Sequence, residues 1–270
     1  MLHDLTIRMI AKYLLSENGT LITLRYINKR FHQLEDMFLG QMVLSDYLSF
    51  YGLLNKPYGW SRVYSMKLET IRPLIDVSAL SNIKKLNIES AHRLVDISPL
   101  KKVKEITLYS CNKICDISPL ANASVVNLIN CAKIKDVSLL ANVPQILLDS
   151  LNIEDVSALG RVRKLSLYYC YEVKDISALG KVKNLSLDTM TGITDFSALT
   201  DVRTLYIREC VGLNNVHAFR NSRILSLSYC HNIGDVSVLK TVHNLTIYVC
   251  KNVTGIEALK NVPKLRIVQY

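Results

Sequence analysis

The feature that most limits how this chain can fold is a five-residue phrase that keeps returning. It reads Asp-Val-Ser-Ala-Leu from Asp76 and Asp155, Asp-Ile-Ser-Pro-Leu from Asp96 and Asp116, and Asp-Val-Ser-Leu-Leu from Asp136. Further copies start at Asp175, Asp195 and Asp235, with weaker ones at Asn215 and Gly255. The start points advance by 20 residues, except for one step of 19 between Asp136 and Asp155. Repeats of this length mean stacked units, because one unit cannot bury its own apolar face.

A second phrase, V-x-x-L-x-L-x-x-C, follows each first one, as in Val162/Leu165/Leu167/Cys170 and Val242/Leu245/Ile247/Cys250. A degenerate earlier copy is Val63/Met66/Leu68. The L-x-L alternation has period two and predicts a short strand with one buried face. The D-[IV]-S-x-L phrase predicts a tight turn whose Asp or Ser accepts hydrogen bonds from the next backbone N–H groups. Twenty residues leave little room for an α-helix on the return path, so 3₁₀ or irregular turns are expected there.

A strand and a turn in this spacing resemble the leucine-rich repeat, LxxLxLxx(N/C)xL. The resemblance covers roughly residues 61–270. It implies an α/β solenoid of about ten coils with short parallel strands and 3₁₀ outer turns, capped by a small N-terminal helical segment over residues 1–60. With strands about 4.8 Å apart, the array is expected to be roughly 50 Å long.

Six of the seven cysteines, Cys111, Cys131, Cys170, Cys210, Cys230 and Cys250, share one repeat position, which Leu151 and Met190 fill in other coils. A slot shared by Cys, Leu and Met predicts a column of buried free thiols. Cys115 stands outside the column, in a loop. Free thiols in this number, with no signal-peptide pattern at the start, predict an intracellular protein.

Residues 1–55 do not follow the phrase. Leu2, Leu5, Met9, Ile10, Tyr13 and Leu14 mark one helix face, and Leu21, Leu24, Ile27, Phe31 and Leu34 a second. A third helix is expected between Glu35 and Leu54, ending at Asn55–Gly59. The stretches Leu2-His-Asp-Leu-Thr-Ile7-Arg-Met-Ile10-Ala-Lys-Tyr-Leu14 and Ile27-Asn-Lys-Arg-Phe31-His-Gln-Leu34 resemble the two halves of an F-box. His3 and Leu5 depart from that motif, where Pro and Glu are usual. The resemblance implies docking onto a Skp-type adaptor of a cullin–RING ubiquitin ligase, with Leu2, Ile7, Ile10, Leu14, Leu24, Ile27 and Phe31 among the adaptor-contacting positions. The same apolar periodicity would also serve a plain cap over the first coil. Regular 20-residue coils behind an F-box-like segment are also similar to proteins of amoeba-infecting giant viruses.

The outward positions of the strands vary from coil to coil while the inward ones repeat, and varied exposed positions are free to specify a partner. Tyr109, Ile129, Leu147, Tyr168, Tyr206, Arg208, Tyr229 and Tyr248 are the candidate contacts on the concave face, since exposed Tyr and Arg anchor protein interfaces. Just before the strands runs a basic stripe, Lys84, Lys104, Arg163, Lys183, Arg203, Arg223 and His243, in a chain whose net charge is +10. Such a stripe reads as a solvated rim or as a surface for acidic groups. No nucleic-acid motif accompanies it. The chain carries no G-x-G-x-x-G, P-loop, H-E-x-x-H or nucleophile-elbow sequence, so no catalytic residue, cofactor or metal is expected. It has no run of 18 apolar residues that would span a membrane. The strand Lys264–Ile267 is followed almost directly by Tyr270, which predicts an open edge where a second copy could pair.

Overall fold

The computed structural model describes the backbone of residues 41–44 and the full residues 65–68 and 74–269. The strands are β1 (Gln41–Leu44), β2 (Ser65–Leu68), β3 (Lys85–Glu89), β4 (Glu105–Tyr109), β5 (Val125–Ile129) and β6 (Gln145–Asp149). They continue as β7 (Lys164–Tyr168), β8 (Asn184–Asp188), β9 (Thr204–Arg208), β10 (Ile224–Ser228), β11 (Asn244–Tyr248) and β12 (Lys264–Val268). All 12 form one sheet in chain order, each parallel to the next. This is the leucine-rich-repeat solenoid that the phrase implied.

The packing follows from the alternation. In the coil of β7, Leu165, Leu167, Cys170, Val173, Ile176, Leu179 and Val182 are all buried. Each stacks on its counterparts in the coils on either side, giving one continuous core. Burying a Leu or Ile side chain contributes about 1.5–3 kcal/mol, and every coil repeats the set.

The return path is made of 3₁₀ turns such as Ser157–Arg161 and Ser177–Lys181, as the short coil requires. Where the phrase begins with Asp, that Asp opens the turn: Asp155 Oδ1 accepts the Ser157 N–H at 2.7 Å and Asp175 Oδ1 that of Ser177 at 2.8 Å. In the weak copy Asn215 does the same for His217 at 2.8 Å. Neighbouring turns pack so closely that a Cβ on Gly180 would overlap the carbonyl oxygen of Ala198. The 19-residue step falls between β6 and the turn at Ser157, and the pairing of β6 with β7 stays in register across it. The missing residue is absorbed in the bend after the strand.

Two strands precede those that follow the ten phrases. β2 is the degenerate copy at Met66 and Leu68. β1 falls inside the stretch read as a third helix, so the residues 1–60 segment is not helical throughout. Gln41-Met-Val-Leu44 pairs with Ser65-Met-Lys-Leu68 residue for residue, Met42 beside Met66 and Leu44 beside Leu68. The same alternation carries it into the sheet, but it lies 24 residues ahead of β2 rather than 20, outside the repeat phrase. Leu2, Ile7, Ile10, Leu14, Leu24, Ile27 and Phe31 lie outside the described residues.

Candidate protein-binding face

The candidate face is the outer surface of the sheet from β4 to β11. Parallel pairing without a register slip turns every outward position into a column. In the central column Leu147, Ser166, Ser186 and Tyr206 are successive partners. Two serines between two large side chains leave a groove whose walls are three strand spacings apart, about 14 Å. The groove has a volume of about 450 Å³ and is lined by Leu147, Ser166, Tyr168, Ser186, Tyr206 and Arg208, with Lys164 at one side and Asp188 at the other. Its floor is small and polar: Ser166 is buried, and Ser186 donates to the Tyr168 hydroxyl at 3.4 Å.

Beyond the groove, charge and aromatic groups join in one cluster. Arg208 meets Asp188 at 3.2 Å and Glu209 at 2.8 Å. The Asp188 carboxylate, with Glu209 behind it, raises the pKa of the guanidinium, which therefore stays a cation. The same guanidinium lies 5.6 Å from the centre of the Tyr229 ring, and that ring meets Tyr248 edge to face at 5.4 Å. A cation over a Tyr face and an edge-to-face pair are both attractive, so together with the Asp188 ion pair side chains from four coils hold one arrangement.

Most of the residues singled out in the sequence sit where the columns put them. Tyr109 and Tyr206 are 44% and 47% exposed, and Arg208 is exposed as well. Ile129, Leu147, Tyr168 and Tyr248 are half-buried among their column neighbours. Tyr229 lies outside the columns, one residue past β10, with a positive φ of 55°. Its ring nevertheless swings back onto the cluster. The sequence reading missed Tyr169 and Tyr171, an exposed pair in edge-to-face contact at 6.3 Å just past β7. The run Tyr168-Tyr-Cys-Tyr171 was the available signal, but it falls in the bend, where the columns end.

The cysteine column is buried, while Cys115 is exposed. The thiols are held by backbone carbonyls: Cys170 Sγ lies 3.4 Å from the Tyr168 oxygen and 3.7 Å from that of Leu148. Burial pushes the thiols of Cys170 and Cys210 up to about 11. The basic stripe from Lys84 to His243 is exposed along its length. Among the described residues no group of three or more His, Cys, Asp or Glu is placed to hold a metal ion, and no helix is long and apolar enough to cross a membrane.

No protein-family pattern matches the chain, and no curated protein matches it. Among solved structures it is similar to an internalin (inlF) from Listeria monocytogenes, at 20% identity and a TM-score of 0.52, over 76% of this chain and 72% of that one. It also matches the functional domain of InlJ from Listeria monocytogenes, which includes a cysteine ladder, at 16% identity and a TM-score of 0.47, over 77% and 55% of the two chains. The leucine-rich-repeat domain of the type III effector XopL matches at 15% identity and a TM-score of 0.43, over 81% and 80%. The likeness to the first internalin is one of fold.

Proposed function

We propose that the chain is a protein-recognition module whose concave sheet receives a protein partner. The observation that carries this reading is the groove between Leu147 and Tyr206, flanked by the Asp188–Arg208–Tyr229–Tyr248 cluster. A hollow with a small floor between Leu147 and Tyr206 accepts one large side chain of a partner. Beside it stand Tyr and Arg already fixed by neighbours, which lose little freedom on binding. The solenoid supports the reading because it presents such residues on rigid strands.

The finer form of the proposal gives the N-terminal segment the role its resemblance implies. The F-box-like stretch within residues 1–60 docks on a Skp-type adaptor, and the solenoid over 61–270 holds the target for a cullin–RING ligase inside the cell. This half rests on the sequence pattern from Leu2 to Leu34. The competing reading is a scaffold without a ligase link, in which the same residues only cap the array.

A pull-down with a Skp-type adaptor separates the two. The intact protein is expected to capture the adaptor, and a Leu14→Asp, Ile27→Asp variant that still folds is expected to lose it. No capture by the intact, folded protein sinks the ligase half and leaves the scaffold. The concave half is tested by Tyr206→Ala and Arg208→Ala. Both should keep the melting temperature and abolish retention of proteins that the intact solenoid retains. Unchanged retention by the folded double variant sinks the groove as the recognition site.

A further inference from the structure

We infer that the rim where the strands begin is a second docking surface, separate from the concave groove, and that its occupant is an extended acidic protein segment. Arg163, Lys183, Arg203 and Arg223 each stand one residue before a strand, from β7 to β10, and all are exposed. The backbone fixes them in a column: the Asn184 N–H donates to the Arg163 carbonyl at 3.1 Å, that of Thr204 to Lys183 at 3.0 Å and that of Ile224 to Arg203 at 3.1 Å. Arg161 and Lys181 close the 3₁₀ turns immediately before and add a second row of cations.

Among the described residues the ion pairs involve Lys67, Lys85 and Arg208, and none involves a cation of this rim. Like charges on adjacent strands, about 4.8 Å apart, lie well inside the Debye length of about 8 Å at physiological salt and destabilise each other. A carboxylate-rich chain laid along them removes that repulsion. The rim also has relief. A trough of about 460 Å³ runs beside it, floored by Ala158, Gly160, Ala178 and Gly180, with Arg161 and Lys181 on its edge and Asp201 at its end toward β9. Gly160 and Gly180 are held there by tight packing, because a Cβ on either would overlap the next turn's carbonyl oxygen. The trough is therefore a fixed part of the surface.

The occupant follows from what the rim lacks. Its exposed groups from β7 to β10 are cations and small side chains, apart from the one carboxylate of Asp201 in the turn before β9. The exposed large side chains Tyr169, Tyr171 and Val211 lie past the far ends of the strands, and the exposed Leu139 stands in the turn before β6, one coil outside the stretch from β7 to β10. Single-stranded nucleic acid binds by stacking bases on aromatic rings set among the cations, and this rim has none. A membrane surface is held by apolar insertion together with charge, and between β7 and β10 the rim presents no exposed large apolar side chain. An acidic peptide needs only cations at short intervals.

The test is fluorescence anisotropy of labelled poly-L-glutamate on the full chain. The intact protein should bind it, with affinity falling steeply between about 50 and 200 mM salt. Reversing Arg161→Glu, Lys181→Glu and Lys183→Glu together should weaken binding at least about tenfold, a loss of roughly 1.4 kcal/mol. The control Lys113→Glu, Lys133→Glu, Lys135→Glu removes the same charge from exposed residues past the opposite strand ends and should change binding little. Circular dichroism melts establish that both variants fold. Equal losses in the two variants would reduce the effect to net charge and overturn the assignment, as would no binding at low salt. Tighter binding of oligothymidylate through the same three residues would make the rim a nucleic-acid surface and overturn it too.

Discussion

Nine residues, one after each strand from β3 to β11, hold a positive φ of between 50° and 57°. None is glycine: they include Ser90, Asn130, Tyr169, Thr189 and Val249. The left-handed conformation costs an ordinary residue about 1–2 kcal/mol, and a β-branched one feels it most. What holds it is the next coil, since each N–H reaches across to the following strand's end, as Tyr229 does to the Tyr248 carbonyl at 2.9 Å. The sequence gives no sign of this column, because the usual marker, glycine, is absent. Val249→Asn should therefore stabilise the fold by about 1 kcal/mol, since Asn tolerates this conformation and Val does not. Urea denaturation would read the gain, and a loss of stability would mean that Val249 contributes more by packing than it costs by strain. The cysteines differ, because their column was legible: only a buried apolar slot takes Cys, Leu and Met in turn. With six thiols buried and Cys115 exposed, a thiol reagent at mildly alkaline pH should label one cysteine in the folded protein and seven in urea. Rapid labelling of Cys170 or Cys210 in the folded state would contradict their burial.

At the scale of the element, eight of the ten phrases turn their coil on an Asp, with Asn215 and Gly255 in its place in the other two. Backbone and side-chain hydrogen bonds from the Ser two residues on lower the pKa of Asp136, Asp155, Asp175, Asp195 and Asp235. Burial and the neighbouring acids Asp155 and Asp195 oppose this at Asp175 without reversing it. A carboxyl whose folded pKa lies below its unfolded value of 3.8 stabilises the fold fully above that value and loses the effect as pH falls through the folded one. The melting temperature should thus stay level from neutral pH down to about 5 and fall steeply below about 4. Asp175→Asn keeps the oxygen that accepts the Ser177 N–H and removes the titration, so its acid slope should be shallower. An identical slope would place the acid sensitivity elsewhere. The turn and strand were readable because both obey a strict period. β1 was not, because its alternation is only four residues long and sits off the 20-residue spacing. A short apolar run without the phrase reads equally well as helix. The groove was half readable. Its walls, Leu147 and Tyr206, were chosen as large side chains, but the two serines that make it a hollow carry no signal until register sets them side by side.

For the whole molecule, stability is a sum over coils and the contacts between neighbours, so where a lesion falls matters as much as what it removes. Leu187 in β8 is fully buried between coils on both sides, whereas Leu265 in β12 is 38% exposed. Leu187→Ala should cost about 2–5 kcal/mol, and Leu265→Ala less than about 1 kcal/mol. The central lesion should also change the shape of unfolding. With the contacts of β8 to β7 and β9 weakened, the coils on the two sides lose their coupling, and urea unfolding followed by circular dichroism should broaden or split. The terminal lesion should shift the curve slightly and leave it single. Equal shifts with equal slopes would mean that the array unfolds as one block, and the nearest-neighbour account would fail. The consequence reaches recognition, because β8 carries Ser186 and Asp188 between the groove wall at Leu147 and the ring pair Tyr229–Tyr248. On the proposed function, partner contacts would be gathered from six successive strands, β6 to β11, and would keep their spacing only while every coil between them is folded. A central packing variant that stays mostly native should therefore lose partner binding well before it loses its structure.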